Sequence, residues 1–186
     1  LHLLSRRQRQ MCIRDSKVAG CVADSIVDGP GLRFTVFFQG CPHHCPGCHN
    51  PDTWPFEGGQ AYTPEELVAL AKKSPLCKGV TLSGGEPFAQ AGQEMLEFVG
   101  LCRAAGFEVA AYTGYTFEQL LAGSEAQRAL LAALDTLIDG PFVREECSLE
   151  LRFRGSRNQR ILNVPESLAA AAPVWETGER WVGAHE

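Results

Sequence analysis

Two β-rich apolar runs stand near the start of the chain, Val18 to Ile26 and Leu32 to Gln39, and the Gly and Pro of DGPG (Asp28 to Gly31) between them are turn residues. The second run predicts a strand that ends directly at Cys41. In TPEELVALAKKS the period changes: Thr63 stands at an N-cap, Pro64 at the first helical position and Glu66 three residues after Thr63, which predicts a helix opened by a capping box. KGVTLSGGEPF predicts a short buried strand, Val80 to Leu82, running into a glycine loop, and a helical pattern follows from about Gln90 to Ala105. FEVAAYTGY reads as another strand. Thr116 and Gln119 form a second capping box before FEQLLAG, EAQRALLAAL is helical, and LDTLIDGPF is a strand entering a turn.

Strands that alternate with helices imply an α/β fold of parallel βαβ units with right-handed crossovers. In such sheets ligands gather at the carboxyl ends of the strands, where the cysteine loop after Gln39, SGGEP and TGY all fall. Beyond them, LELRFRGSRNQRILNV is compatible with a final strand and loop, and the residues from 166 to 186 read as a poorly packed tail.

With 186 residues, 45% of them hydrophobic, the chain fits one domain with an ordinary core. Its formal charge is −5, but the first sixteen residues, LHLLSRRQRQMCIRDS, contribute four Arg and one Asp; without them 13 basic side chains face 21 acidic ones. That balance opposes a nucleic-acid partner. The same sixteen residues lack the parts of a signal peptide and resemble a translated adapter, so the domain is expected over residues 17–165. No apolar run approaches the roughly 18 residues that span a bilayer, so no membrane partner is expected and the predicted setting is the reducing cytoplasm.

Eight cysteines occur, at 12, 21, 41, 45, 48, 77, 102 and 147, and that setting disfavours disulfides. Cys21, Cys77, Cys102 and Cys147 read as small core residues. Cys41, Cys45 and Cys48 form C-x3-C-x2-C, a metal or cluster site. Zinc usually wants a fourth ligand, often from a second pair, and none is present; His49 directly follows Cys48 and is poorly placed to share its ion, while His43 and His44 cover the loop. A four-iron cluster held by three thiolates keeps one iron open for a substrate or cofactor.

At this point the chain resembles the radical S-adenosylmethionine superfamily, whose C-x3-C-x2-C loop binds a 4Fe-4S cluster and whose glycine motif is matched by SGGEP, Ser83 to Pro87. The resemblance implies a partial parallel (β/α) barrel. It makes Cys41, Cys45 and Cys48 the cluster ligands and Gly47, Cys48, His49, Gly84, Gly85 and Glu86 the contacts to S-adenosylmethionine. Gly84 and Gly85 let backbone approach the ligand with positive φ, and Glu86 accepts from its ammonium group. An aromatic residue commonly precedes the third cysteine in that superfamily and packs on the adenine; here the position is Gly47, and His49 follows where some relatives have Tyr.

One branch is especially similar over about Ala19 to Val164: the activating proteins of anaerobic (class III) ribonucleoside-triphosphate reductase. The resemblance rests on DGPGLRFTVFFQGCPHHCPGC, TLSGGEP, AYTGYTFEQL, IDGPF and LRFRGSRNQR. It implies one-electron cleavage of S-adenosylmethionine to methionine and a 5′-deoxyadenosyl radical, which takes hydrogen from a glycine of the partner reductase, with a donor such as reduced flavodoxin. No general acid or base is required. Arg152, Arg154, Arg157 and Arg160 are either a solvated strand edge or a docking surface for the partner or the donor. Tyr112, Thr113, Gly114 and Tyr115 line the cofactor or, for Tyr112, the core; Trp54 packs under the cluster loop. Activation of pyruvate formate-lyase or another glycyl-radical enzyme is the alternative within the superfamily, and a non-enzymatic zinc-binding module the alternative outside it.

Overall fold

The computed structural model describes residues 15–183. The sixteen-residue leader therefore lies outside the described residues except for Asp15 and Ser16. Ser16 is the first residue of strand β1 (Ser16–Ser25) and is buried, so the residue before the expected boundary already belongs to the sheet.

DGPG turns the chain from β1 into β2 (Leu32–Phe38), which runs antiparallel to it, because so short a connection cannot make a parallel crossover. β3 (Gln60–Tyr62), a strand the sequence pattern does not show, adds to the outer edge of β1. β4 (Cys77–Gly84), β5 (Glu108–Tyr112) and β6 (Thr136–Asp139) run parallel to β2, and β7 (Arg160–Asn163) closes the series antiparallel to β6. The result is one mixed seven-stranded sheet in the order β3-β1-β2-β4-β5-β6-β7. The expected parallel units are present in its centre, and β3 and β7 form its edges.

Helices α1 (Pro64–Ala71), α2 (Gln93–Ala104), α3 (Phe117–Leu121) and α4 (Glu125–Ala132) fill the crossovers. Both expected capping boxes form, and Ser124 with Gln127 supplies a third for α4. Each crossover moves one strand in the same direction, so a constant hand places these helices on one face, where α1 packs on α2 and α2 on α4. Side-chain alternation does the rest. Val36, Phe38, Val80, Leu82, Val109, Ala111 and Leu137 meet Leu67, Phe98, Val99, Leu130 and Leu131 in the main core. The intervening strand residues, including Arg33, Thr35, Thr81, Ser83 and Tyr112, belong to the opposite, more polar face.

The segment beyond 165 is better packed than its sequence suggests. Helix α5 (Val164–Ala170) packs on α4, and the short α6 (Glu179–Val182) carries Trp181, fully buried with Ala110, Ile138 and Ile161. The indole Nε1 donates to Glu108 Oε1 at 3.2 Å, and the guanidinium of the buried Arg33 lies 5.5 Å from the ring centre. Arg33 itself donates to Thr81 Oγ1 and to the Val80 carbonyl; burial pulls its pKa down, and Glu108 opposes that. A single anchor in a short, aperiodic segment leaves no periodic signal, which is why the pattern reads as a tail. Trp181→Ala is expected to cost about 3–5 kcal/mol of stability, measured by chemical denaturation. A change below 1 kcal/mol would show that α6 does not belong to the folded unit.

Candidate functional site

Four parallel strands deliver four loops to one rim. β2 leads into Gly40 and Cys41, β4 into Gly85 and Glu86, β5 into Thr113 and Gly114, and β6 into Gly140 to Phe142. They enclose a cavity of ≈ 370 Å³ lined by Cys41, Cys45, Cys48, His43, His49, Ser83, Gly84, Gly85, Tyr112, Thr113 and Phe142, and closed on another side by Phe153, Arg154 and Gln159. Thus the three cysteines and the glycine loop meet at one place.

The cysteine loop is held by its ends. The N–H groups of Gly40 and Cys41 donate to the carbonyls of Thr53 and Trp54 at 2.7 and 3.0 Å, and Glu86 N–H donates to the Gly40 carbonyl at 2.8 Å. Cys48 Sγ accepts from Asn50 N–H at 3.3 Å. Burial pushes the Cys41 thiol up, the backbone N–H groups of His43 and His44 act on its sulfur in the opposite sense, and the negative charges of Glu86 and Cys45 add to the rise. By contrast Cys102 is buried in the core with its thiol pushed up to about 12, Cys21 rises to about 11 by burial, and Cys77 donates to the Gly79 carbonyl. Cys147 is exposed and Cys12 lies outside the described residues.

The glycine loop approaches the cysteine loop as closely as backbone allows. Gly84 has φ +90, and a Cβ there would stand 2.5 Å from Phe37 Cα. Gly85 does not adopt positive φ; its constraint is contact, since a Cβ would overlap the Gly40 carbonyl oxygen. Glu86 also differs from expectation. Its fully buried carboxylate accepts from Phe88 N–H (3.0 Å), Thr113 Oγ1 (2.9 and 3.0 Å), Gly114 N–H (2.9 Å) and His43 Nε2 (2.8 Å). Those donors take up its capacity, so Glu86 ties loops together rather than facing a ligand's ammonium group; Ser83 to Gly85 present the surface to the cavity.

Gly47 stands beside Arg144 and Phe142 with φ +79, a left-handed conformation that favours glycine. Phe142 is the aromatic that the motif itself lacks. Its ring lies 5.4 Å from that of His49, and only its place at the end of β6, in IDGPF, hints at it. Tyr112 lines the cavity and also packs on the cluster of Ala110, Ile138, Ile161 and Trp181, and its hydroxyl donates to the Phe153 carbonyl at 2.9 Å, with burial pushing its pKa up. Gly114 packs against the His43 ring, and Tyr115 lies edge-on to that ring rather than in the cavity. Trp54 faces the cavity under His44, and its buried Nε1 has no hydrogen-bond partner among the described residues.

The arginines of RFRGSRNQR divide. Arg152 and Arg157 are exposed. Arg154 lines the cavity, lies 5.7 Å from the Trp175 ring centre and donates to the Gln159 carbonyl. Arg160 pairs with Asp139 and Glu118, and holds the Glu118 carboxyl down to about 2. Gln159 and Asn158 stitch this segment to the loop after β6 through the Gly140 and Pro141 carbonyls.

The donor chemistry fits an iron-sulfur cluster. Three thiols line one cavity, the donor type that iron-sulfur clusters take. The orphaned Trp54 N–H and the bare Gly84–Gly85 backbone leave a donor and a close-approach surface for a polar ligand beside it.

A family model described as "4Fe-4S single cluster domain" matches residues 27–162. The chain is 37% identical over 143 residues to the anaerobic ribonucleoside-triphosphate reductase-activating protein of Vibrio cholerae, an alignment covering 73% of this chain and 90% of that one. It is 43% identical over 105 residues to the pyruvate formate-lyase-activating enzyme of Clostridium pasteurianum, covering 52% of this chain and 44% of the other. The crystal structure of QueE from Escherichia coli is similar with a TM-score of 0.44 and 19% identity, over 55% of this chain and 54% of that one.

Proposed function

Because the chain belongs to the family of anaerobic ribonucleoside-triphosphate reductase-activating proteins, we propose that it activates such a reductase by forming a glycyl radical on it. The observation that carries this reading is the shared cavity of Cys41, Cys45 and Cys48 with the Gly84–Gly85 loop. Those three thiolates would hold a 4Fe-4S cluster, and the loop would hold S-adenosylmethionine beside it. When bound, the pair supplies a one-electron step: an electron from a donor such as reduced flavodoxin breaks a sulfonium carbon–sulfur bond, methionine leaves, and a glycine Cα hydrogen of the partner ends on 5′-deoxyadenosine.

The protein's own part is positional. The glycine loop brings backbone to the ligand, and Phe142 and His49 offer ring surfaces where the cysteine motif has Gly47. The apolar walls from Phe37, Phe142 and Phe153 exclude water from the reacting atoms. The one-directional order of β2, β4, β5 and β6, with helices on a single face, supports a partial parallel (β/α) barrel of the radical S-adenosylmethionine type.

The test pairs two measurements on anaerobically reconstituted protein: 5′-deoxyadenosine release with a chemical reductant, and the glycyl-radical signal by electron paramagnetic resonance with the reductase present. Both are expected. A radical on pyruvate formate-lyase and none on the reductase would overturn the choice of partner. The exposed and lining arginines should separate in the same assay. Arg157→Ala is expected to leave cleavage without partner within about twofold and to lower radical formation several-fold, more at high salt. Arg154→Ala is expected to lower both several-fold, because its side chain lines the cavity and braces the Gln159 segment that closes it. Equal behaviour of the two variants would show that the segment acts as one surface.

A further inference from the structure

We propose that the Tyr112 hydroxyl and the Trp181 ring are positioning groups: they hold Phe153 in a strained conformation, so that residues 151–155 form a ready-made cavity wall through which the C-terminal element supports ligand binding. This rests on the reading of the cavity as the place that takes S-adenosylmethionine.

Three observations carry it. Phe153 has φ +52, the left-handed region that a bulky side chain ordinarily avoids, and it lines the cavity with Leu151, Arg154 and Gly155. Such a conformation persists only where its surroundings impose it. Here both the backbone and the ring are held: the Phe153 carbonyl accepts from the Tyr112 hydroxyl at 2.9 Å, and its ring stands edge-on to Trp181 with centroids 5.5 Å apart. Trp181 cannot yield. It is fully buried, its Nε1 donates to Glu108, and Arg180 forks onto the same carboxylate at 2.8 and 3.0 Å. Finally, residues 151–155 belong to no helix or strand, so side-chain contacts take the place of a backbone ladder. Past Phe153 the Gly155 and Ser156 N–H groups both donate to Gln159 Oε1, and Gln159 Nε2 donates to the Gly140 carbonyl.

The consequence is one of preorganisation. A ligand that meets a wall already in place does not bear the entropy of ordering it. Without the Tyr112 donor, Phe153 relaxes toward negative φ, and the wall must be set again each time a ligand binds. The C-terminal element, which touches the cavity only through Phe153 and Arg154, thereby becomes part of the site.

The experiment uses the full chain, reconstituted anaerobically and kept without reductant or reductase. It reads iron per chain, amide hydrogen exchange in the ligand-free protein, and affinity for added S-adenosylmethionine. Tyr112→Phe keeps the ring and removes only the donor. It is expected to keep its iron, to exchange faster at Gly155 and Ser156 with α2 unchanged, and to bind S-adenosylmethionine about three- to tenfold more weakly, the scale of one hydrogen bond. Phe153→Asn places a residue that tolerates positive φ without help, so adding Tyr112→Phe to it should weaken binding by less than about twofold further. If Tyr112→Phe does not fold, Phe153→Val, whose β-branched side chain resists positive φ, is read in its place with the same expected changes. Wild-type affinity in Tyr112→Phe would overturn this inference alone. Weaker binding with unchanged exchange would overturn it as well, since the hydroxyl would then act on the ligand directly, and so would an equal loss in the Phe153→Asn background. Wild-type protein that carries its cluster but binds no S-adenosylmethionine would overturn the proposed function and this inference with it.

Discussion

Cys41→Ala, Cys45→Ala and Cys48→Ala are each expected to lose the cluster and all detectable cleavage of S-adenosylmethionine. The loss should be complete rather than fractional. A cluster that normally takes four protein ligands would already have one iron left open here, and removing another thiolate would leave two. The remaining cysteines are the controls. Cys77→Ser should keep full iron, since Cys77 packs against the main core with its Sγ on the Gly79 carbonyl and does not line the cavity. Cys102→Ser should also keep iron but lose about 1–3 kcal/mol of stability, because its side chain is fully buried among apolar neighbours. Iron and sulfide per chain, with 5′-deoxyadenosine release, decide it. Full iron in any of the three alanine variants, or an iron-free Cys77→Ser protein, would remove the assignment.

The second large effect is expected at Gly85. From sequence alone, Gly85→Val predicts weakened cofactor binding with the cluster intact, by blocking the ligand's approach and a positive φ. The structure changes that expectation. A Cβ at Gly85 would overlap the Gly40 carbonyl oxygen and stand 2.9 Å from the Phe38 carbonyl oxygen, so the valine must push on the root of the cysteine loop. Overpacking of this kind costs about 2–3 kcal/mol, roughly thirty- to hundredfold in affinity. Gly85→Val is therefore expected to lose S-adenosylmethionine binding by that factor and part of its iron as well. Ligand titration and iron analysis on the same preparation measure both. Unchanged affinity would make the loop only a turn, and lost affinity with full iron would restore the simpler picture in which the two sites are separable.

Much of this molecule is determined by short-range pattern. Three cysteines within eight positions mark a metal or cluster site, because thiol chemistry and ligand spacing are local properties, and the choice of a 4Fe-4S cluster came from the resemblance that SGGEP completes. The capping boxes at Thr63–Glu66 and Thr116–Gln119 form as the sequence predicts, since each closes within three residues. The parallel centre of the sheet follows from strand and helix alternation, and the meeting of SGGEP with the cysteine loop follows from strand ends sharing one rim.

Other features were decided by residues far apart in the chain. Glu86 meets His43 across 43 positions and Gly114 across 28, so a residue that looks like a ligand contact in its own motif becomes a buried hub once three loops converge on it. Phe142 comes to lie beside Gly47 and His49, although nothing in the cysteine motif announces it. Arg154 and Arg157 are only three positions apart and look alike in the sequence, yet one lines the cavity and the other is exposed, because Gln159 and Asn158 tie their segment to the loop after β6. Trp181 reaches Glu108 across 73 positions and makes a folded element of what reads as a tail. The sequence by itself determined the spacing of the three thiols, the capping boxes and the alternation of strands and helices in the middle of the chain, since those depend on neighbours within a few residues. Only the tertiary structure decided which polar groups face the cavity and which hold it together, because buried hydrogen bonds are assigned by packing between elements that carry no record of one another in their local pattern.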